Sequence, residues 1–306
     1  MLALALSPTA VARQSASKSP PADPSAAVNQ ALDLAEKGQC KEALPALRSN
    51  LPKIVDKQRR FAVAVSSARC AMSINQMDVA VEFLLLLNRE FRHDPRVLYM
   101  TTHYFSELAN RAAQDLASSA PSSKEAMELD AEAYESQGKW DEATAEYNTI
   151  LQKYPGTPGI HFRLGSILLA RPATATTSED AKKQFEAELS IDPTNAAAEF
   201  SLGDLARQDE QWPDAIEHFS KASHLDEGFS EAFLGLGMSL NAKGSFAKAV
   251  EPLEKYVKMQ PTDPAGHYQL AISYARTGRK EEADKQMALQ REAEAKVEQG
   301  ASRTRQ

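Results

Sequence analysis

Residues 196–229 read AAAEFSLGDLARQDEQWPDAIEHFSKASHLDEGF, and the next 34 residues, 230–263, read SEAFLGLGMSLNAKGSFAKAVEPLEKYVKMQPTD. The two segments share Leu-Gly at their seventh and eighth positions and alanine at their twentieth. This alanine recurs at a spacing of 34, and a bulky residue follows it four positions later: Ala181/Phe185, Ala215/Phe219, Ala249/Leu253 and Ala283/Met287. A fixed period of this length predicts a stack of similar units, because no single unit can bury its apolar face alone.

Further signature positions extend the series in both directions. Leu164-Gly165 and Leu270-Ala271 occupy the Leu-Gly positions of other units, and Pro155, Pro193 and Pro261 fall near unit ends. Leu-Gly, then Ala-x-x-x-Phe, then Pro within 34 residues resembles the tetratricopeptide repeat. The resemblance is clearest in five units: 124–157, 158–195, 196–229, 230–263 and 264–297.

The resemblance implies an all-α fold, a right-handed α-solenoid of helix-turn-helix repeats. The residues agree, since each unit carries apolar positions three and four apart on two predicted helices. The domain prediction has a leader at 1–23, degenerate helical pairs over 24–121, the five clear units with a terminal cap over 122–298, and a disordered tail at 299–306. Within 24–121, the segment 96–121 is predicted to be a shortened pair.

Local signals predict where helices begin and end. Gly138, Gly244 and Gly278 fall where a first helix stops and the chain turns. Thr157-Pro158 and Asp263-Pro264 each place a capping side chain before a proline, which suits the first position of a helix.

The first residues favour export. Leu2 to Leu6 form an apolar run, and Ala10-Val11-Ala12 has the form of a signal-peptidase site. The run is short and no positive charge precedes it, which indicates a truncated or remnant signal peptide. A periplasmic or secreted location is therefore predicted, with a cytoplasmic protein bearing a disordered N-terminus as the alternative.

The chain has two cysteines, Cys40 and Cys70, without the spacing of a metal or dithiol redox motif. The repeat frame places Cys40 at the start of a second helix and Cys70 late in the next first helix, which runs beside it. Two readings stay open: a disulfide worth ~3 kcal/mol, or two free buried thiols.

Composition and motifs argue against several function classes. The net charge is -7, which disfavours a nucleic-acid partner. The longest internal apolar run, 83–87, is too short for an integral membrane span. Gly235 and Gly237 lack the third glycine and the preceding strand of a dinucleotide site. We expect no enzyme activity, cofactor, metal or small-molecule substrate.

The first helix of each unit lines the concave surface in the family that the chain resembles. Residues two before each Leu-Gly position, and those four later on the same face, form what is called here the groove stripe: Glu128, Glu132, Phe162, Ser166, Phe200, Asp204, Leu234, Met238, Tyr268 and Ile272. The stripe is mainly apolar, with acidic residues at its N-terminal end. It favours a non-catalytic scaffold that binds a peptide or helix of a protein partner.

Two alternatives remain at this point. Individual stripe residues could serve ordinary packing between helices. The chain could also be an accessory subunit of a cell-envelope assembly that uses the outer surface of its solenoid.

Overall fold

The computed structural model describes residues 24–304. Contacts divide the chain after Ser118 into two compact units, which are described separately. The predicted leader 1–23 lies outside the described residues. Helices account for every regular element between residues 24 and 304.

The described part of the first unit, from Pro24 onward, contains five α-helices. They are α1 (Pro24–Glu36), α2 (Cys40–Asn50), α3 (Lys57–Ser73), α4 (Met77–Glu90) and α5 (Pro95–Ser119), with a 3-10 turn at Leu51–Lys53 after α2. Their apolar faces meet in one core that includes Leu47, Ala68, Phe83 and Val97.

The second unit is built from five helical pairs. The first helices of the pairs are α6 (Lys124–Ser136), α8 (Ile160–Ala170), α10 (Ala196–Gln208), α12 (Ser230–Ala242) and α14 (Pro264–Arg276). The second helices are α7 (Trp140–Lys153), α9 (Thr177–Ile191), α11 (Trp212–Leu225), α13 (Phe246–Met259) and α15 (Lys280–Thr304). From α6 to α15 each helix packs on the next, as expected for an α-solenoid.

Small residues set the spacing between helices. A Cβ added at Gly203 would lie 2.9 Å from the Phe219 ring, and one added at Gly235 would lie 2.7 Å from it. Phe219 therefore fills the space between the backbones of α10 and α12. A Cβ added at Gly237 would likewise lie 2.4 Å from the Leu253 side chain, so the Gly-x-Gly of α12 is a packing element.

Cys40 and Cys70 are joined by a disulfide in the structure, with 4.8 Å between their Cα atoms. Cys40 is the first residue of α2 and Cys70 lies in the last turn of α3. Of the two readings left open by the sequence, the structure has the disulfide. The bond ties the first helical pair to the helix that follows it.

The structure differs from the prediction at three places. Residues 96–121 were expected to form a shortened pair, yet Pro95–Ser119 is one helix, because no glycine or proline interrupts it. The predicted tail from 299 onward is helical as far as Thr304. The helix expected to start at Thr157-Pro158 begins instead at Ile160, with Gly159 as its N-cap residue.

In four of the five helical pairs of the second unit, the turn uses a left-handed residue at the fifteenth position of the repeat. Gly138, Gly244 and Gly278 have φ of +69°, +81° and +81°, as their positions predict. The third repeat, 196–229, has Glu210 at this position, with φ of +56°. A side chain in this conformation costs about 1 kcal/mol.

Glu210→Gly is therefore expected to raise the free energy of unfolding of the second unit by about 0.5–1 kcal/mol. The measurement is the urea midpoint followed by helical circular dichroism. Glu210→Ala is the matched control, since it removes the carboxylate and keeps the strained conformation. Equal gains from both variants would show that charge, and not backbone strain, is responsible.

Candidate functional site

All ten residues of the groove stripe lie on the first helices of the second unit, and none is fully buried. Residues four apart on a helix share a face, so each helix contributes one neighbouring pair of side chains. Glu132 and Tyr268 are the most open members, and the other eight are partly buried. The structure thus keeps the whole stripe within reach of solvent.

The acidic end of the stripe is partly neutralised. Glu132 accepts a charged hydrogen bond from Arg163 of α8 at 3.1 Å, and the same guanidinium lies 3.5 Å from Glu135. Glu128 lies 3.8 Å from Lys124 on its own helix. Arg163 therefore links α6 to α8, and the carboxylates at this end already have cationic neighbours.

The two phenylalanines of the stripe also pack between helices. The Phe162 ring centroid lies 5.8 Å from that of Phe185. Phe200 lies 5.4 Å from Phe219 and 4.8 Å from Phe229. Both rings stay only partly buried, so each contacts the core and remains in part accessible to solvent. Truncating either would disturb packing as well as any ligand contact.

The polar members of the stripe make local contacts. Asp204 accepts hydrogen bonds from Arg207 and Gln208, both at 2.7 Å, on the same helix. Ser166 donates to the Phe162 carbonyl at 2.9 Å. These bonds hold the side chains against α10 and α8.

The C-terminal end is the most apolar part. Leu234 packs against the core of the last repeats. Met238 of α12 and Ile272 of α14 are partly buried. Tyr268 is 47% exposed, a high fraction for an aromatic side chain in a folded unit.

The sequence reasoning missed Leu169 of α8, which is 42% exposed. It follows Phe162 by seven residues, so it lies on the same helical face. Extending the stripe from the i and i+4 positions to i+7 would have found it. Leu169 of α8 therefore extends the groove stripe, which already includes the exposed Tyr268 of α14.

Polar pairs join the first and second helices behind the stripe. His161 Nδ1 lies 2.7 Å from Gln184 Oε1, and His267 Nδ1 lies 2.6 Å from Gln286 Oε1. The equivalent pair of the third repeat is Glu199 with His218, whose side chains lie 2.6 Å apart. These contacts explain the recurring histidines as packing between the two helices of a repeat. Within the described residues no group of three or more acidic, histidine or cysteine side chains is arranged for a metal ion.

A sequence model of the tetratricopeptide repeat matches the chain at 105–158, 131–176, 178–228, 200–264 and 234–295. Together these matches span more than half of the chain. This chain belongs to the tetratricopeptide repeat (TPR) family. No curated protein sequence matches it.

A solved structure shows the same fold in a known TPR protein. The crystal structure of YrrB, a TPR protein with an unusual peptide-binding site, superposes with a TM-score of 0.51 at 19% identity, covering 60% of this chain and 92% of YrrB. The crystal structure of MamA gives 0.49 at 22% identity, covering 55% of this chain and 96% of MamA. The TPR fold supports a protein-interaction scaffold, and TPR proteins are in general non-catalytic.

One buried carboxylate positions the start of the TPR helix that carries Phe162. Glu188 of α9 is fully buried, and its two oxygens accept the backbone N–H groups of Gly159 at 2.6 Å and Phe162 at 3.2 Å. Asn195 donates to the same carboxylate at 3.2 Å. Gly159 has φ of +87°, a left-handed conformation that cannot continue an α-helix, so α8 starts at Ile160 and not at Pro158, and the Glu188 carboxylate satisfies N–H groups at that start.

Two tyrosines brace the ends of the TPR array. Burial, together with a hydrogen bond to Glu254 at 2.5 Å, raises the pKa of Tyr274 to about 12. Burial first, and then a hydrogen bond to Glu135 at 2.9 Å, raises the pKa of Tyr147 well above its usual range. Both hydroxyls therefore stay protonated and donate to carboxylates at neutral pH.

No helix within residues 24–304 is both long enough and apolar enough to cross a membrane.

Proposed function

We propose that the second unit binds a peptide or a helix of a protein partner along the groove stripe. The observation that supports this most strongly is the open apolar surface at Leu169 and Tyr268, 42% and 47% exposed, on the same first-helix faces as the partly buried phenylalanines. Apolar side chains that line up on successive helices favour an apolar partner, because covering them releases water. A segment with apolar anchors at helical spacing fits such a surface.

The test compares two double variants of the full chain. Leu169→Ala with Tyr268→Ala alters the stripe at its two most exposed apolar positions. Leu225→Ala with Met259→Ala is the matched control, because those residues are 42% and 37% exposed on the second helices α11 and α13. Phe162 and Phe200 are kept, since both also contact core rings.

Affinity capture from the source organism is quantified for wild type and both variants, after circular dichroism has shown unchanged helicity. We expect a captured partner to be lost, by tenfold or more, from the stripe variant alone. Loss from the control variant alone would instead favour the accessory subunit that assembles through its outer surface. Capture of the partner by both variants would contradict both the groove-binding proposal and the assembly through the outer surface.

We also propose that the protein acts in an oxidising compartment, periplasmic or extracellular. The Cys40–Cys70 disulfide supports this, because such bonds are rare in the cytosol of most organisms. Alkylation of thiols in intact cells, followed by mass analysis, tests it. Two alkylated cysteines in the native protein would place it in a reducing compartment.

A further inference from the structure

Helix α5 begins as the first helix of a repeat but has no second helix in its own unit. Asp94 caps it ahead of Pro95, with an oxygen 2.9 Å from the Arg96 N–H, just as Asp263 caps α14 ahead of Pro264. Where Gly278 ends α14, the corresponding residue of α5 is Ala109, and the helix continues to Ser119. Within the first unit no helix follows α5.

The face that a second helix would cover is open. In α14 the fourth, seventh, eighth and eleventh positions are buried between α13 and α15 and are nearly inaccessible: His267 4%, Leu270 1%, Ala271 3% and Tyr274 6%. In α5 the fourth and eleventh positions are Leu98 and Phe105, which are 50% and 39% exposed. Thr102, at the eighth position, is exposed as well, whereas Thr101, at the seventh, is partly buried and accepts a hydrogen bond from Asn88 of α4.

The open residues form a regular apolar stripe, named here the outer stripe. Its members alternate in steps of four and three residues: Leu98, Thr102, Phe105, Ala109, Ala112 and Leu116. All but the partly buried Leu116 are exposed. A different face of α5, with Val97, Met100 and Tyr104, packs into the core of the first unit. Steps of four and three are the spacing by which two helices pack along a continuous seam.

We propose that the outer stripe pairs, antiparallel, with the outer stripe of a second copy of this chain. The stripe is self-complementary about one centre near residue 107, because its members then face each other as Leu98 with Leu116, Thr102 with Ala112 and Phe105 with Ala109. Each large ring thus lies over a small residue. Within the complete repeats of this chain Phe219 lies over Gly203 in the same manner, so the second copy supplies the missing second helix.

The absence of charge along the outer stripe is compatible with this pairing. The outer stripe is uncharged over its full length, and so is its solvent-side flank of Tyr99, Ser106 and Ala113. Glu107 and Arg111 pair with each other at 2.8 Å on another face of α5. No like charges oppose each other across the seam, so the symmetric arrangement carries no electrostatic penalty.

The expected area indicates a weak, reversible dimer. The stripe spans about 27 Å of helix, and two such helices bury on the order of 800–1,000 Å² in total. Stable complexes bury roughly 1,200–2,000 Å². Dissociation in the range of tens of micromolar is therefore expected, and it is accessible to solution measurement.

Sedimentation velocity of the full chain, from about 1 to about 300 μM, tests the proposal. Wild type should pass from monomer to dimer over this range. Phe105→Lys and Ala109→Glu should each weaken the dimer at least tenfold, because each places a charge in the seam. An equimolar mixture of the two variants should recover dimer, since the introduced charges then face each other across the two chains.

Tyr268→Lys is the control, because it changes an exposed aromatic of the groove stripe and should leave the dimer intact. This control separates dimerisation from partner binding. A wild-type chain that stays monomeric throughout overturns the proposal and leaves the face open to a helix of another protein. A dimer that persists in Phe105→Lys, or a mixture that stays monomeric, overturns the assigned seam. Circular dichroism confirms that both variants fold.

Discussion

Phe219→Ala is expected to lower the free energy of unfolding of the second unit by about 3–5 kcal/mol. The Phe219 ring is 1% exposed and fills the space between α10 and α12, where Gly203 and Gly235 bring the helix backbones close to its two sides. Removing the ring leaves a cavity shared by two repeats. The surrounding glycines have no side chains that could fill it, so the site can relax little.

Hydrogen exchange of the second unit measures this effect best, because repeat arrays do not always unfold in two states. The amides of α10 to α12 should lose the most protection. Tyr268→Ala is the control, since it deletes a large ring that is 47% exposed and should cost about 1 kcal/mol or less. Equal costs for the two variants would contradict the role assigned to Phe219.

Replacing both cysteines with alanine is expected to destabilise the first unit by about 3–4 kcal/mol. The disulfide closes a loop of sequence separation 30, and the loop-entropy model assigns about this value to it. Cys40 and Cys70 are 7% and 1% exposed, so alanine fits both sites without exposing new polar atoms. The second unit contains no cysteine and should keep its stability.

Urea unfolding with and without reductant checks this prediction. Reductant should lower the midpoint of the first unit in wild type and leave the double variant unchanged. A midpoint in wild type that is insensitive to full reduction would show that the bond contributes little beyond the packing of α2 on α3. A change in the second unit would mean that the two units unfold together.

The periodic part of the sequence predicted its own local structure well. The repeat alanines and the turn glycines act through contacts within one repeat, and bulky residues such as Phe219 also reach the next repeat through Gly235. Gly138, Gly244 and Gly278 adopt the left-handed conformation that their positions predict, because the turn requires it of any sequence.

The candidate site could be predicted only in part. The stripe residues lie on the first helices, as predicted, since the i and i+4 positions follow from helix geometry. How much of each side chain remains open depends on contacts with the second helix of the same repeat. Phe185 and Phe219 cover part of Phe162 and Phe200, whereas Leu169 stays 42% exposed.

The sequence by itself determined the all-helical repeat architecture, the helix faces and the turn positions, because these depend on contacts within one period. Tertiary structure decided the features that depend on contacts with the neighbouring helices of the array. Glu188, from the second helix of the repeat, accepts the N–H groups of Gly159 and Phe162 at the start of α8, two residues after the predicted start at Pro158. Since no second helix packs on α5 in its unit, its apolar outer stripe stays open, and the local pattern of α5 carries no signal of that missing neighbour.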